Sequence, residues 1–258
     1  MALTRLHPAE LHVSVSQVKT YLACPRKYEL RYVLGIPPET RALNLVFGSA
    51  IHEGLAAYYV ALKENTEPAR EMVLSTFNDS IDEALLDQPP VLLDDDENAG
   101  TLKDKGVALL GVFLEHVEKP DKVLAVEQPF AVDLVDPRTG HMVEEQFTGV
   151  LDALVEVEGH QVILEHKTAA KKWSQDQLDY DLQAGAYLAA IPATCVRLQC
   201  LLKTKTPSLD IQDLLRSASQ KNEAIDVICR VLDAIRAGAF WRNRGWACRG
   251  CEFEKQCG

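Results

Sequence analysis

Residues 149–168 read GVLDALVEVEGHQVILEHKT and alternate apolar and polar side chains on both sides of a central Glu-Gly pair. Two alternating runs joined by such a pair predict a β-hairpin with a two-residue turn. In this hairpin Val157 pairs with His160, and continuing the register outward places Asp152 opposite Glu165. The segment therefore predicts two carboxylates that face each other across neighbouring strands.

Two opposed carboxylates about 5 Å apart are destabilising unless positive charge lies between them. Lys167 lies two residues beyond Glu165, so its side chain is expected on the same face. Oxygen ligands completed by water suit Mg²⁺ or Mn²⁺, and a nearby lysine can position an attacking water. Metal-assisted phosphodiester hydrolysis fits this pattern, and a surface strand with an ordinary Glu-Lys pair is the alternative. The opposite, core-facing side comprises Leu151, Ala153, Val155, Val157, Val162 and Leu164.

The composition is that of a globular protein without a membrane segment. The chain has 258 residues, of which 47% are apolar and 25% charged. No apolar run reaches the roughly 20 residues of a spanning helix, and the first residues resemble no secretory signal. We expect a cytoplasmic protein, in which the seven cysteines are unlikely disulfide partners because that compartment is reducing. The net charge of −11 argues mildly against a nucleic-acid partner, although the segment from Arg236 onward is locally basic.

Periodicity predicts a mixed α/β fold in which helices precede and flank a small sheet. Two short helices are expected within 14–36, with Cys24 at their junction before Pro25. Further helices are predicted over 47–64, 68–87, 101–118, 174–190 and 208–237. Strands are predicted over 122–135, 145–157, 160–168 and 195–204, and residues 88–100 are predicted to form a surface loop. We expect a single domain over 1–258, with a mainly helical part (1–120), a sheet core (121–205) and a C-terminal helix with a cysteine cluster (206–258).

The segment 248–258, CRGCEFEKQCG, contains three cysteines in a Cys-x2-Cys-x5-Cys spacing. A closed zinc site or a cubane iron–sulfur cluster normally takes four protein ligands. The spacing therefore predicts a fourth cysteine from elsewhere, and it does not separate zinc from iron–sulfur.

Four motifs together resemble the PD-(D/E)XK nucleases, and within them the RecB-like branch. GVLDAL is similar to the G-x-x-D motif and LEHKT to the (D/E)-x-K motif. LQAGAYLAA is similar to a Q-x-x-x-Y motif, and FGSAIHEGL to an upstream helix motif. The resemblance implies a restriction-endonuclease-like sheet flanked by helices. It also implies catalytic roles for Asp152, Glu165, Lys167, Gln183 and Tyr187, with His52, Asp152 and Glu165 as metal ligands.

The cysteines extend this resemblance. Members with an iron–sulfur cluster, including the CRISPR adaptation nuclease and the AddB-type recombination nuclease, have one cysteine far upstream and three near the C-terminus. Here the upstream cysteine is Cys24, since Cys195, Cys200 and Cys229 lie in apolar contexts typical of buried thiols. The resemblance implies a [4Fe-4S] cluster, with structural Zn²⁺ as the alternative, held by Cys24, Cys248, Cys251 and Cys257.

These features predict a metal-dependent DNA nuclease, an exonuclease on single-stranded DNA or DNA ends. The alternative is a DNA-end-binding or adaptor module on a nuclease-like fold. The sequence has no P-loop motif, so unwinding would need a helicase partner, and the resemblance adds a CRISPR adaptation partner. Phosphate contacts are expected from basic side chains and base stacking from tryptophans. The candidates are Arg26, Lys27, Arg31, Lys171, Lys172, Arg242, Arg244, Arg249, Trp173, Trp241 and Trp246.

Overall fold

The computed structural model describes residues 12–93, 97–245, 248 and 250–257. Its main sheet has six strands in the order β1-β5-β6-β7-β8, with β4 paired to β5, and β2 and β3 form a separate pair. The strands are β1 (His12–Val13), β2 (Arg41–Ala42), β3 (Val91–Leu92), β4 (Lys122–Val132), β5 (Gln146–Val157), β6 (His160–Ala169), β7 (Cys195–Leu202) and β8 (Ser208–Leu214). β5 and β6 are antiparallel, whereas β6 and β7 are parallel, so the sheet is mixed as predicted.

Helices cover both faces of this sheet. They are α1 (Val15–Ala23), α2 (Pro25–Tyr28), a π-helical turn (Glu29–Val33), α3 (Leu43–Lys63), α4 (Arg70–Leu86), α5 (Ala99–His116), α6 (Gln175–Asp179), α7 (Leu182–Ala190), α8 (Ala218–Arg236) and α9 (Glu254–Cys257). One buried cluster joins α3, α4 and α5 to the sheet, and a second joins α1, α7 and α8 to it. The sheet therefore lies between two helical layers, and its central strands β6 and β7 are buried on both faces.

The helix boundaries follow from local sequence. Ser14 begins α1 with the predicted capping box, in which the side chains of Ser14 and Gln17 each bond the other residue's backbone N–H. Cys24 is extended and stands between α1 and α2, and Pro25 occupies the first turn of α2. The predicted junction at Cys24 is confirmed.

The hairpin is confirmed in its turn and its register. Glu158 and Gly159 both adopt left-handed backbone conformations, with φ of 51° and 77°, as a type I′ turn requires. Pairing runs from Val157 opposite His160 to Ala153 opposite Leu164. The predicted core residues on these strands are buried, apart from the half-buried Val157.

Two predicted helices differ from the structure. The prediction of one helix over 208–237 is wrong, since 208–214 is strand β8 and α8 begins only after Ser217. SLDIQDL alternates as an edge strand does, and Ser217 with Gln220 forms a capping box that fixes the start of α8. The helix predicted over 174–190 is split into α6 and α7, because Asp181 caps a new helix through the N–H of Ala184.

The sheet also draws strands from outside 121–205. β1 pairs with β5 in parallel, and β8 pairs with β7 in antiparallel orientation. β3 lies within the predicted loop 88–100, of which residues 94–96 fall outside the described residues.

α3 is the long core helix of the helical layer over β5 and β6. By length and composition alone it could cross a membrane, with a mean hydropathy of 1.3 over its most apolar window. Half of that window is buried inside the protein, and Ile51, Leu55 and Tyr59 are fully buried. This pattern is typical of a core helix.

Candidate active site

The candidate site lies where β5 and β6 separate. Their pairing ends at Ala153 opposite Leu164, whereas β6 stays paired with β7 through Ala169. Beyond this point β5 pairs with β1 instead. We call this opening the fork; Asp152 on β5 and residues 165–167 on β6 line it. Asp152 directly opposite Glu165, as predicted from the hairpin register, is not among the paired positions, because the pairing ends one position earlier, at Ala153 opposite Leu164.

Asp152 is held by hydrogen bonds at the fork. The backbone N–H of His166 donates to Asp152 Oδ2 at 2.7 Å, and His52 Nδ1 lies 3.4 Å from Asp152 Oδ1. Burial by itself opposes ionisation of Asp152, but the hydrogen bonds from His166 and His52 outweigh it and hold its pKa well below the ordinary value. Asp152 is therefore a carboxylate anion at neutral pH.

His52 comes from α3 and lies across the fork from β5. Its Nε2 donates to the backbone oxygen of His166 at 2.9 Å, which leaves Nδ1 directed at Asp152. Burial alone would lower the pKa of His52, but the hydrogen bond and charge of Asp152 raise it. When the Nδ1 proton leaves, a nitrogen lone pair faces Asp152, as metal binding requires.

Glu127 completes a group that sequence reasoning missed. Among the described residues, His52, Glu127 and Asp152 form the one group of three such side chains whose ligand atoms all lie within 4.8 Å of one another. Glu127 has a left-handed backbone with φ of 45° within β4, so its direction could not be read from strand alternation. Glu127 is solvent-exposed as a residue, yet desolvation of its carboxyl by the surrounding protein, then the charge of Asp152, raises its pKa to about 7.

Glu165 faces a different set of side chains. Lys167 Nζ donates to Glu165 Oε1, and Gln183 Nε2 on α7 donates to Oε2 at 2.7 Å. Lys167 Nζ also lies 3.5 Å from Gln183 Oε1, so the three groups form a closed network. Burial and the charge of Asp152 raise the pKa of Glu165. Burial would lower the pKa of Lys167, but Glu165 raises it, and the lysine stays charged.

Tyr187 lies one helical turn after Gln183 and takes a packing position. Its hydroxyl donates to the backbone oxygen of Val150 at 3.3 Å, and its ring packs edge-on against Phe130 at 5.3 Å. A Cβ atom at Gly149 would lie 2.7 Å from the Phe130 ring and 3.0 Å from the Tyr187 hydroxyl. The glycine of GVLDAL therefore permits this close approach of α7 and β4 to β5.

The residues of the fork suit a divalent cation. His52 Nδ1, Glu127 and Asp152 offer one imidazole nitrogen and carboxylate oxygens, a set that favours Mn²⁺ or Mg²⁺ over softer metals. Glu165 lies outside this group of three, with its carboxylate engaged by Lys167 and Gln183. The structure thus brings together His52 and Asp152 of the predicted ligands, and adds Glu127.

The four cysteines predicted as cluster ligands line one cavity. The cavity has a volume of 340 Å³ and is lined also by Lys27, Arg242, Asn243 and Arg244. In the part of the chain that the structure describes, however, the cysteine sulfurs do not meet the 4.8 Å spacing reached by the fork. The cysteines do not form a closed metal centre. The other three, Cys195, Cys200 and Cys229, are buried, and burial raises each thiol pKa to about 11.

Most predicted DNA contacts are engaged within the protein. Lys27 and Arg31 both pair with Glu252, at 2.9 and 2.7 Å, and Lys172 pairs with Asp210 at 2.6 Å. Arg26 pairs with Glu29, and Trp173 packs against the core. Lys171 and Trp241 are exposed, whereas Trp246 and Arg249 lie outside the described residues.

Comparison with known proteins supports the same interpretation. The family model of the PD-(D/E)XK nuclease superfamily matches residues 12–258. Among solved structures, a candidate exonuclease from Eubacterium rectale is similar over 97% of this chain and 92% of that chain, with a TM-score of 0.57 and 15% identity. The structure of SSO0001 is similar over 90% of this chain and 93% of that one, with a TM-score of 0.41 and 14% identity. No curated protein matches the sequence.

Proposed function

The chain belongs to the PD-(D/E)XK nuclease superfamily, and from this premise we propose that it is a divalent-metal-dependent deoxyribonuclease acting on single-stranded DNA or DNA ends. The observation that carries the proposal is the fork, where His52, Glu127 and Asp152 converge next to the Glu165–Lys167 pair. The likeness to a candidate exonuclease favours attack from an end.

The fork residues divide the chemistry between two sets. His52, Glu127 and Asp152 would hold Mg²⁺ or Mn²⁺, which supplies charge stabilisation to a phosphoryl group. Lys167 keeps its proton and can hydrogen-bond the attacking water or a phosphate oxygen. Gln183 and Glu165 hold the Lys167 ammonium in place, so the lysine donates from a fixed position. Glu165, whose pKa is raised in part by the nearby charge of Asp152, would offer a further carboxylate oxygen to the metal, as the family resemblance implies.

End-labelled single- and double-stranded DNA, incubated with Mg²⁺ or Mn²⁺ and with EDTA, tests the proposal. Cleavage should require the metal and shorten one labelled end before internal products appear. Lys167→Ala should reduce cleavage by roughly 10²–10³-fold, the loss typical of one preorganised electrostatic group, and should leave Mn²⁺ binding in place. Lys63→Ala, an exposed lysine at the end of α3, is the matched control. Metal-independent cleavage, or full activity of Lys167→Ala, would contradict the proposal.

We extend the proposal to a [4Fe-4S] cluster in the cysteine cavity, with structural Zn²⁺ as the alternative; the preference for the cluster rests on the resemblance of the cysteine placement to iron–sulfur members of the family. A zinc ion with Zn–S bonds of about 2.3 Å holds its four sulfurs about 4 Å apart. A cubane places four irons between the thiolates and needs them more widely separated. Cys24, Cys248, Cys251 and Cys257 line one cavity, which supports a shared site for either group.

We propose the RecB-like branch on the resemblance of GVLDAL, LEHKT, LQAGAYLAA and FGSAIHEGL to its motifs, and on the placement of the four cysteines. The sequence has no P-loop motif, so any unwinding would need a helicase partner. Recombination, DNA repair and CRISPR adaptation are the settings we propose, in the cytoplasm. Pull-down of a helicase or an adaptation protein with the tagged chain from its native host would test this assignment.

A further inference from the structure

Gln199 is a polar side chain at the centre of β7, whose sequence CVRLQCLL is otherwise nearly all apolar there. Its Oε1 accepts a hydrogen bond from the Tyr59 hydroxyl at 3.0 Å and lies 3.0 Å from His166 Nε2. Gln199 is 3% exposed, His166 2% and Tyr59 0%. Burying three polar side chains is costly unless they satisfy one another, and these three do so.

The hydrogen bonds and the packing fix the His166 ring. An amide oxygen only accepts, so Nε2 of His166 is the donor and Nδ1 is directed at Asp152 Oδ2, 3.5 Å away. The Tyr59 ring stacks on the His166 ring at 5.4 Å and 25°, and the His52 ring meets it edge-on at 5.8 Å and 88°. The imidazole is thus held on its face, at its edge and at one nitrogen.

The peptide groups of His166 join this buried ring to the metal ligands. The N–H of a strand residue points to the same side as its C=O, and here both point into the fork, where β5 no longer pairs. The N–H donates to Asp152 at 2.7 Å, and the C=O accepts from His52 at 2.9 Å. One residue therefore orients two of the three candidate ligands.

We infer that Tyr59, Gln199 and His166 are positioning residues, a buried network that holds Asp152 and His52 in their metal-binding orientation. None of the three contacts the metal or the substrate in this assignment. Tyr59 lies seven residues after His52 on α3, two turns along the same helix face. The packing of α3 against β6 and β7 therefore fixes the position of the candidate ligand His52 and also that of Tyr59, which belongs to the supporting network. The role in catalysis rests on the proposed function, whereas the contacts need no metal.

Mn²⁺ affinity of the DNA-free protein, measured by calorimetry, tests the inference. Loss of an outer partner of a metal ligand typically weakens binding 10–100-fold. Tyr59→Phe, which removes one hydroxyl, should weaken Mn²⁺ binding by roughly tenfold, and Gln199→Leu by roughly 100-fold. Tyr58→Phe is the matched control, because Tyr58 is also buried and its ring packs against Tyr59 at 5.1 Å, whereas the hydroxyl that it would lose does not bond Gln199, which is bonded by Tyr59 and His166. Wild-type affinity in Tyr59→Phe would overturn the inference, whether or not Gln199→Leu folds.

A double-mutant cycle in metal-free protein tests the same network without any ion. If Tyr59 acts on Asp152 through Gln199 and His166, the thermal shifts of Tyr59→Phe and Asp152→Asn should fail to add by about 2–4 °C. The shifts of Tyr58→Phe and Asp152→Asn should add. Additive shifts for Tyr59 would overturn the inference. A wild type that binds no Mn²⁺ but shows the coupling would instead count against the proposed function, and the network would stand.

Discussion

The fork and the cysteine cavity both gather metal-binding side chains, but the structure builds them in opposite ways. At the fork, two strands and a core helix bring His52, Glu127 and Asp152 to within 4.8 Å without an ion. At the cavity, Cys24 ends one short helix while three cysteines lie more than 220 residues later, and their sulfurs stay apart. Folding therefore brings the fork ligands together, whereas it does not bring together the described cysteines of the cavity to the same degree.

The two sites also differ in how extensively the surrounding protein holds their segments together. The fork rests on sheet pairing and on buried clusters from two helical layers. The segments around the cavity are joined by a few long-range bonds, such as the Tyr21 hydroxyl to the Ala239 oxygen at 2.6 Å and Asn243 Nδ2 to the Ala23 oxygen at 2.9 Å. Loss of the fork ligands should therefore cost activity, and loss of the cavity ligands should cost stability.

The largest expected effect is on cleavage. Asp152→Ala should lower DNA cleavage by roughly 10²–10³-fold or more, because it removes a metal ligand. The melting temperature should fall by about 2–4 °C for each kcal/mol lost, because the variant leaves the His166 N–H without its partner, but the sheet should keep the fold intact. End-labelled DNA assays and calorimetry of the same preparation measure the two quantities. A variant that melts far below the wild type would contradict the view that folding alone prepares this site.

The second effect concerns the cavity. Cys24→Ser should remove the bound group as completely as Cys251→Ser, and lower the melting temperature by about 2–4 °C for each kcal/mol lost. Iron content, about four per chain in anaerobically prepared wild type, and the thiolate-to-iron absorption report occupancy. Cys195→Ser should keep both signals. One zinc per chain would refute the cluster, and unchanged iron in Cys24→Ser would refute the ligand.

A third, smaller effect is the pH dependence of the fork. The raised pKa of Glu127, about 7, and that of Glu165 mean that protons compete with the metal, so Mn²⁺ affinity should rise from pH 6 to pH 8. In metal-free protein the quantity to follow is the stability of the fold, and it changes with pH in the opposite direction. The stability linked to these carboxyls is fully present below their unfolded pKa of 4.5 and is lost as pH rises through about 7.

Melting curves of metal-free protein between pH 5 and pH 8 check that sign. Glu127→Gln should reduce the fall in melting temperature between pH 5 and pH 8. Glu64→Gln, at an exposed glutamate after α3, should leave that fall unchanged. A metal-free protein that grows more stable across this range would contradict the assignment of raised carboxyl pKa values.

The smallest effect separates two adjacent lysines. Lys172 is already paired with Asp210 at 2.6 Å, so it has less free charge for phosphate than the exposed Lys171. Lys171→Gln should reduce the slope of log K against log salt for DNA binding by about one, and Lys172→Gln by less. Each variant is the control for the other. An unchanged slope in both would place the DNA path elsewhere.

The sequence alone was sufficient for the hairpin because local chemistry specifies it. The Glu158-Gly159 turn sets the register from Val157 to Ala153, and alternation then assigns Asp152, Glu165 and Lys167 to the next positions. The cap at Ser14 and the break at Pro25 were predictable for the same reason.

Features set by tertiary contacts were not predictable in this way. Glu127 reaches the fork only because β4 contains a register shift near Val123 and a left-handed residue at 127 itself. The ring of His166 meets Gln199 because β6 and β7 pair in parallel, although α6 and α7 separate them in sequence. Neither arrangement leaves a local signal in the sequence. A glutamine within an apolar strand such as β7 does indicate, however, that a buried polar partner is present elsewhere in the fold.

The order of the chain gives the fork a temporal consequence. All its side chains lie between His52 and Tyr187, whereas α8 and the last cavity cysteine, Cys257, follow up to 70 residues later. At a synthesis rate of about 5–20 residues per second, this interval lasts roughly 4–14 seconds. The ribosome therefore synthesises all the side chains of the candidate site before α8, the helix that packs against α7. The emerging chain carries these side chains before it has α8 and the last cavity cysteine.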